Sequence, residues 1–372
     1  MKTEFRAEHV GSLLRPPDLL QARQAHAEGR LPSADLQLLE DRAIREAIQK
    51  QRDIGLDILT DGEMRRGSWL TDMADAVEGF VPQKVVLDWK GPGGGPEASS
   101  ANAVGAKLRK ARKLTGHEIP ILHSMAPEVF RIGDFKVTLP APSNFMVSSY
   151  KPGLSDRFYP TRSDLLRELA GIVRDEVEWL VSQGITYIQF DAPFYSHYLD
   201  PEHRQEMQSQ GRNPDSELAE GIAADNAALA GVPRDRVTTA MHVCRGNSRG
   251  RWFTEGGYGA IARALFGAVD VDRFLLEYDD ERSGDFEPLR EVPRGRTVVL
   301  GLITTKWPQL ESPDLLRRRI DEATRCIPLQ NLAISPQCGF ASVAAGNLIS
   351  IDDQWRKLEL VAATARAVWG AA

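Results

Sequence analysis

Short β-branched, apolar runs alternate with longer stretches of helical periodicity through most of the 372 residues. The runs predict strands near Ala7–Gly11, Asp57–Asp61, Lys136–Leu139, Thr186–Asp191, Val237–His242, Phe274–Glu277, Thr297–Leu302 and Leu332–Ser335. Between them lie helical patterns. One runs from Asp164 to Ser182, with apolar residues at Leu165, Leu169, Ile172, Val173, Val177 and Leu180 and Gly184 just past its end. A second opens with Ser312 as N-cap and Pro313 in its first turn. The last has Ser350 and Asp353 at capping-box spacing and stops near Gly370. Eight strands alternating with helices predict a single (β/α)8 barrel over residues 1–372.

Two stretches complicate that count. Ile121–His123 has the composition of a ninth strand core, although Pro120 before it favours a strand start or an edge. Between the second and third strands, KGPGGGPEASSANAVG is expected to be a mobile loop or hairpin tip on the barrel and not a linker. Its glycines lack the lysine and spacing of a phosphate-binding loop. GYGAIA at Gly257 imitates a dinucleotide fingerprint, but no strand leads into it.

Composition narrows the function classes. A formal net charge of −6 argues against a general nucleic-acid binder. The opening residues carry no apolar signal-peptide core, and no stretch of about 18 apolar residues predicts a membrane span. Three cysteines, Cys244, Cys326 and Cys338, make no disulfide framework and fit a reducing cytoplasm. Cys326 is expected to pack in the helix after Pro313.

The polar residues with useful chemistry cluster at the C-terminal ends of the predicted strands. They are His9 and Ser12, Asp61 and Glu63, Asp191, His242 and Cys244, Glu277, Lys306, and Cys338. In a closed barrel these ends share one mouth. Strand side chains alternate faces, so His242 and Cys244 can reach one point in space. A buried histidine beside an inert thiol is the plainer reading of those two alone. With Glu277 and Cys338 converging on them, two thiolates, an imidazole and a carboxylate suit Zn²⁺. His9 has no evident role.

The sequence resembles the C-terminal catalytic barrel of cobalamin-independent methionine synthase over nearly its whole length. The likeness rests on HVGS (Gly11, Ser12), IGLDILTDGE (Gly62, Glu63), YIQFDAP (Asp191), MHVC (His242, Cys244), FLLEYD (Glu277) and SPQCGF (Cys338). It implies a catalytic zinc on His242, Cys244, Glu277 and Cys338, and a homocysteine held by Ser12, Glu63 and Asp191. The sequence departs from the full-length synthase in three ways. There is no room for that enzyme's second, N-terminal barrel. Lys306 stands where the family has a histidine thought to assist proton transfer. Ala192 replaces an acidic residue.

These readings predict a zinc-dependent thiol alkyltransferase, with methyl transfer to homocysteine as the leading activity. Asp191 and Glu63 would meet an ammonium unless they pair with Arg65 or Arg66. Ser12 would meet a carboxylate, and Arg245 an anionic group. Tyr195 and His197 are expected to line the pocket, with Lys306 and Asp191 as catalytic side chains. Four protein ligands fill a tetrahedron, so one must yield to substrate or the metal must become five-coordinate; Glu277 is the candidate to yield. The donor is left open between methyltetrahydrofolate, a methylcorrinoid and an epoxide. A second enzyme reading keeps the zinc and alkylates coenzyme M with an epoxide. A third, of another class, is a non-catalytic zinc-containing binding protein.

Overall fold

A computed structural model of the chain describes residues 4–125 and 130–370. Its centre is a six-stranded parallel sheet in the order β3 (Lys136–Pro140), β4 (Tyr187–Asp191), β5 (Thr238–Val243), β6 (Arg273–Glu277), β7 (Thr297–Ile303) and β8 (Leu332–Pro336). Before it in the chain come the two long strands of an antiparallel hairpin, β1 (Val77–Trp89) and β2 (Gly95–Lys110). Almost every residue of β3 to β8 is buried, as expected of a parallel sheet with both faces covered. Among the described residues no helix is long and apolar enough to cross a membrane.

The helices form where their sequences provide caps. Arg162–Ser182 starts from a reciprocal Thr161–Asp164 capping box and buries Leu165, Leu169, Ile172, Val173, Val177 and Leu180. Gly184, just beyond it, adopts φ +86°, which only glycine takes without strain. Ser312 caps Pro313–Ala323, and Ser350 with Asp353 boxes the start of Ile351–Trp369.

The first two expected strands are shorter than predicted. Ala7 bridges Ile334 in β8, Leu59 bridges Phe135 just before β3, and Asp57 N donates to Ala7 O at 2.9 Å. Elsewhere in these segments side chains take up the backbone donors. Asp57 Oδ2 accepts from Arg6 N and Ala7 N, and Gln51 Oε1 accepts from Thr60 N. Ile121–His123 is helical, within Ile119–Met125, and not a ninth strand. Pro120 falls in the first turn, where its missing N–H is not needed, and Ile121 and Leu122 are buried. Cys326 lies three residues beyond the helix Pro313–Ala323, half-buried against the core.

The glycine-rich insertion opens as the tip of the β1–β2 hairpin, residues 90–94, and continues as strand β2 from Gly95, which pairs with Trp89. It docks on the loop after β5. Lys90 and Trp252 exchange backbone hydrogen bonds of 2.7 and 3.2 Å, and the Trp89 ring stacks on Phe253 at 3.8 Å.

Candidate functional site

The alternation of β5 places Ala240, His242 and Cys244 on one face and Met241 and Val243 on the other. Ala240 packs in a small apolar cluster with Phe5, Val10, Ile58, Tyr187, Leu275, Val299 and Ala333, while Met241 and Val243 join the larger core. In register, Asp191 of β4 lies beside His242. The site therefore sits just past this small cluster, at the C-terminal ends of the parallel strands.

Ligand atoms of His242, Cys244 and Cys338 all lie within 4.8 Å of one another, and all three residues are buried. The two sulfurs are 3.7 Å apart. His242 Nδ1 is 3.2 Å from Leu275 O, which fixes the ring and leaves Nε2 for a ligand. That Nε2 is buried and has no hydrogen-bond partner among the described residues. These features fit zinc. Tetrahedral Zn–S bonds of about 2.3 Å separate two sulfurs by about 3.8 Å, and an orphaned imidazole nitrogen facing thiols is a ready third donor.

Glu277 stands at the edge of this group and not within it. Its Oε2 accepts from Arg245 N at 2.7 Å, while Oε1 accepts from Arg282 and faces Lys306 Nζ at 3.4 Å. Burial alone would raise its carboxyl; Lys306, Arg282 and Arg245 outweigh that and hold it below the usual carboxylate range. Lys306 is itself fully buried and also lies 3.6 Å from Asp279.

A second wall is acidic. Glu63 adopts φ +55°, and its N–H donates to Asp61 Oδ1 at 2.8 Å. Glu63 Oε1 accepts from Thr138 at 3.0 Å, while Glu63 Oε2 and Asp61 Oδ2 are buried with no hydrogen bond among the described residues. Gly11 makes room for this carboxylate: a Cβ there would lie 2.7 Å from Glu63 Oε1. Asp191 Oδ1 accepts from Gln189 at 2.7 Å. Burial pushes the Asp191 carboxyl up to about 7; nearby His242 opposes the rise and Glu63 adds to it. Ser12 packs its hydroxyl against Gly339, the residue after Cys338, and accepts weakly from Ala341 N at 3.4 Å.

Arg65 and Arg66 are largely engaged elsewhere. Arg65 pairs with Glu40 and Asp41. Arg66 reaches Glu118 at 2.6 Å and Asp72 at 2.8 Å, with Glu63 at only 3.8 Å. Asp72, His117 and Glu118 form a second group with metal-ligand atoms, but the Arg66 guanidinium already occupies it.

Two expected pocket residues, Arg245 and Tyr195, are engaged elsewhere. Arg245 is fully buried, and its five N–H groups are spent on Gly256 O, Tyr258 Oη, Glu277 O and Ser283 O. It braces the loop and has no donor left for a substrate anion. Tyr195 lies in the 3₁₀ turn Pro193–Tyr198, which turns its hydroxyl onto Asp225 at 2.6 Å beneath helix Pro214–Ala228. His197 is half-buried, its ring against Phe194 and His203. His9 is a packing residue, with Nε2 2.8 Å from Gln51 Oε1. Sequence reasoning missed Arg282, and it read Asn247 only as part of a polar loop beside the candidate metal site. Arg282 sits in the charged run YDDERSG, which reads as solvated surface. Asn247 donates to Thr305 Oγ1 and Gly339 O, tying the loop after Cys244 to the loop that carries Cys338.

The likeness to known proteins runs through these same segments. A Bacillus subtilis protein, YxjH, described only as uncharacterized, is 35% identical over 375 residues, covering 99% of this chain and 96% of its own. A methionine synthase of Pyrococcus abyssi is 23% identical over 330 residues, covering 89% of this chain and 84% of its own. The solved B12-independent methionine synthase of Shewanella sp. W3-18-1 superposes with a TM-score of 0.73 at 20% identity and 98% coverage of each chain, a likeness of fold. The family described as the catalytic domain of cobalamin-independent synthase matches residues 5–87 and 156–350, which include Ser12, Glu63, Asp191, His242, Cys244, Glu277 and Cys338. The chain belongs to that family of methyltransferase-type catalytic domains.

Proposed function

We propose that this protein is a zinc-dependent thiol alkyltransferase that methylates homocysteine, built on a closed (β/α)8 barrel. The bridges at Ala7 and Leu59 support closure, because the two short segments link the free edges of β3 and β8. The observation that carries the chemistry is the grouping of His242, Cys244 and Cys338 around a buried imidazole nitrogen that makes no hydrogen bond of normal geometry among the described residues. His242, Cys244 and Cys338 would hold the zinc and leave it able to take up a substrate thiol. Zinc held there would lower the pKa of an incoming thiol, so that it meets the donor as a nucleophile at neutral pH.

The chain's own residues place the substrate. Asp191, beside His242, and Glu63, near Asp191, would take up the ammonium of an amino acid. Ser12, pressed against Gly339, would meet its carboxylate. The methyl group passes from the donor atom to sulfur, the donor keeps the bonding electron pair, and the thiol proton leaves to solvent. Asn247 holds the two cysteine loops at fixed separation meanwhile.

The buried ammonium of Lys306 favours a second reading, in which an epoxide alkylates a thiol such as coenzyme M and Lys306 offsets charge on the opened oxygen. A non-catalytic zinc protein is the weaker reading, because the unsatisfied oxygens of Asp61 and Glu63 await a ligand. Two reduced thiols serving a metal fit a cytoplasmic location. Calorimetry on zinc-loaded protein with homocysteine and with coenzyme M tests the acceptor. Homocysteine should bind and coenzyme M should not; the reverse would move the assignment to the second reading.

A further inference from the structure

Behind the acidic wall lies a second set of buried charges. Arg66 Nη1 donates to Thr138 Oγ1 at 2.8 Å, and that hydroxyl donates to Glu63 Oε1 at 3.0 Å. Arg66 Nε faces two further carboxyls. It carries a single hydrogen, yet Glu118 Oε1 lies 2.6 Å from it and Asp72 Oδ2 2.8 Å. The hydrogen goes to Glu118. Asp72 Oδ2, buried as well, makes no hydrogen bond of normal geometry among the described residues. Glu63, Asp72 and Glu118 thus share one guanidinium, and the charge of Asp61 reaches both Asp72 and Glu118. Arg15, also nearby, spends N–H groups on the carbonyls of Ala341, Glu63 and Arg66. Two carboxyl oxygens facing one N–H are best satisfied when the pair carries a proton of its own. Burial pushes the Asp72 carboxyl up to about 6; Arg66 and Arg112 oppose the rise, and Glu63 and Asp61 add to it. Burial also raises Glu118 well above its ordinary value, against the pull of Arg66.

This pair has a route to solvent. Its oxygens and an imidazole nitrogen of His117 lie within 4.8 Å of one another. His117 Nε2 is 3.4 Å from Asp72 Oδ1 and 3.6 Å from Glu118 Oε1. Burial, with Arg66, Arg112 and Arg65 around it, pushes this imidazole down to about 3, so near pH 6 it is neutral and can accept and donate a proton. Its side chain is 27% exposed, and with Asp72 it lines a cavity of about 880 Å³. His117 and Glu118 lie within residues 88–155, which the family match leaves out.

We propose that Asp72 and Glu118 hold one proton between them, and that an ammonium arriving at Glu63 and Asp61 expels it through His117 to the cavity. This rests on the amino-acid reading of the acidic wall. A positive charge at Glu63 cancels part of the negative potential that retains the proton, so the acid becomes stronger. The carboxyl O–H bond breaks, its electron pair stays on the oxygen, and the proton passes over the imidazole to solvent. Amino-acid affinity must then rise with pH across the titration of the pair.

The test uses the full zinc-loaded chain with L-methionine, whose thioether has no proton to lose. Calorimetry near pH 6 in buffers of different ionisation enthalpy counts the protons released on binding. Wild type should release about half a proton more per methionine than either Asp72→Asn or Glu118→Gln, the scale of a shift of one pKa unit. Its affinity should rise with pH by about tenfold more than theirs across the titration. Equal release in all three proteins overturns the proposal. Infrared spectra of wild type alone cover the case of poorly folding variants. A protonated-carboxyl C=O band should be present near pH 6 and weaken when methionine binds, and a band that is absent or unmoved also overturns the proposal. Methionine that binds without releasing a proton overturns the coupling alone. Methionine that does not bind refutes the amino-acid reading of the wall, and the coupling falls with it.

Discussion

Cys244 and Cys338 are 94 residues apart in sequence, and their sulfurs are 3.7 Å apart in space. That separation is far beyond the 2.05 Å of a disulfide and matches two thiolates sharing a tetrahedral metal. Purified protein should therefore carry about one zinc per chain. Cys244→Ser and Cys338→Ser should each cut metal content steeply, while Cys326→Ser, near Glu287 and away from the site, should leave it unchanged. Elemental analysis decides it, and full occupancy in a Cys244→Ser/Cys338→Ser protein would falsify the site.

Asp191 and Glu63 make an acidic wall beside His242. Asp191→Asn keeps the shape and removes a charge, so homocysteine should bind roughly ten- to a hundredfold more weakly while zinc content stays the same. Calorimetry on metal-loaded protein reads both. Unaltered homocysteine affinity would mean that the acceptor's ammonium does not meet this wall, and coenzyme M, which has none, would become the better candidate.

The grouping of His242, Cys244 and Cys338 was legible in sequence because these residues lie at or just past strand ends. In β5 the alternation of faces alone puts His242 and Cys244 together. Glu277 was equally visible as a strand end, but its pairing was not, since Arg282 approaches through a loop whose path periodicity does not encode. Tyr195 and Arg245 failed for a related reason. Each follows a strand by only a few residues, yet a 3₁₀ turn rotates one toward Asp225 and a closed loop wraps the other. The first two strands were overestimated because Asp57 and Gln51 take the backbone donors that a longer ladder would use. Ile121–His123 was ambiguous in principle: a run of three residues fits either period, and the surrounding helix decides.

Away from the site, Glu8 ties three parallel strands together in the interior. It meets Arg273 of β6 at 2.6 Å, Lys136 of β3 at 3.3 Å and the Tyr187 hydroxyl of β4 at 2.8 Å, with the acid and the lysine fully buried. Glu8→Gln leaves two buried cations without their counter-charge and should cost about 3–5 kcal/mol. Urea denaturation measures it. A loss under 1 kcal/mol would mean that water or another group compensates them.

Asp225 gives a pH signature. Burial raises its carboxyl to about 6, although Tyr195 and Ser143 donate hydrogen bonds to the charged form. A folded-state value above the unfolded one means that the native protein binds the proton more tightly. This contribution therefore favours folding at low pH and is lost as pH rises from about 4 to about 6. The gap between 3.8 and about 6 corresponds to roughly 3 kcal/mol. Asp225→Asn should remove that slope, so stability relative to wild type should improve by about this amount between pH 4 and pH 7. Parallel denaturation curves at the two pH values, with an unchanged difference, would show that the carboxyl stays charged throughout.

Lys306 bears on the choice of donor. A methyl group on folate N5 has a poor leaving group unless that nitrogen is protonated as it departs. Lysine is a weaker acid than protonated histidine at neutral pH, and here the ammonium is buried between Glu277 at 3.4 Å and Asp279 at 3.6 Å. The geometry suits Lys306 for fixed charge compensation and not for proton delivery. A methyl on cobalt needs no protonated leaving atom, and an epoxide needs its opening oxygen stabilised, which a buried ammonium does electrostatically. Turnover of homocysteine with methyltetrahydrofolate should therefore be slow or absent, and a methylcorrinoid or another activated alkyl donor should react faster. One zinc-loaded preparation assayed against methyltetrahydrofolate, a methylcorrinoid and an epoxide compares them directly. If the epoxide is the substrate, Lys306→Ala should lower its rate by about a hundredfold or more, the scale of losing one oxyanion partner. Efficient methionine formation from methyltetrahydrofolate that survives Lys306→Ala would place proton delivery on another residue and remove the chemical reason for preferring the other donors.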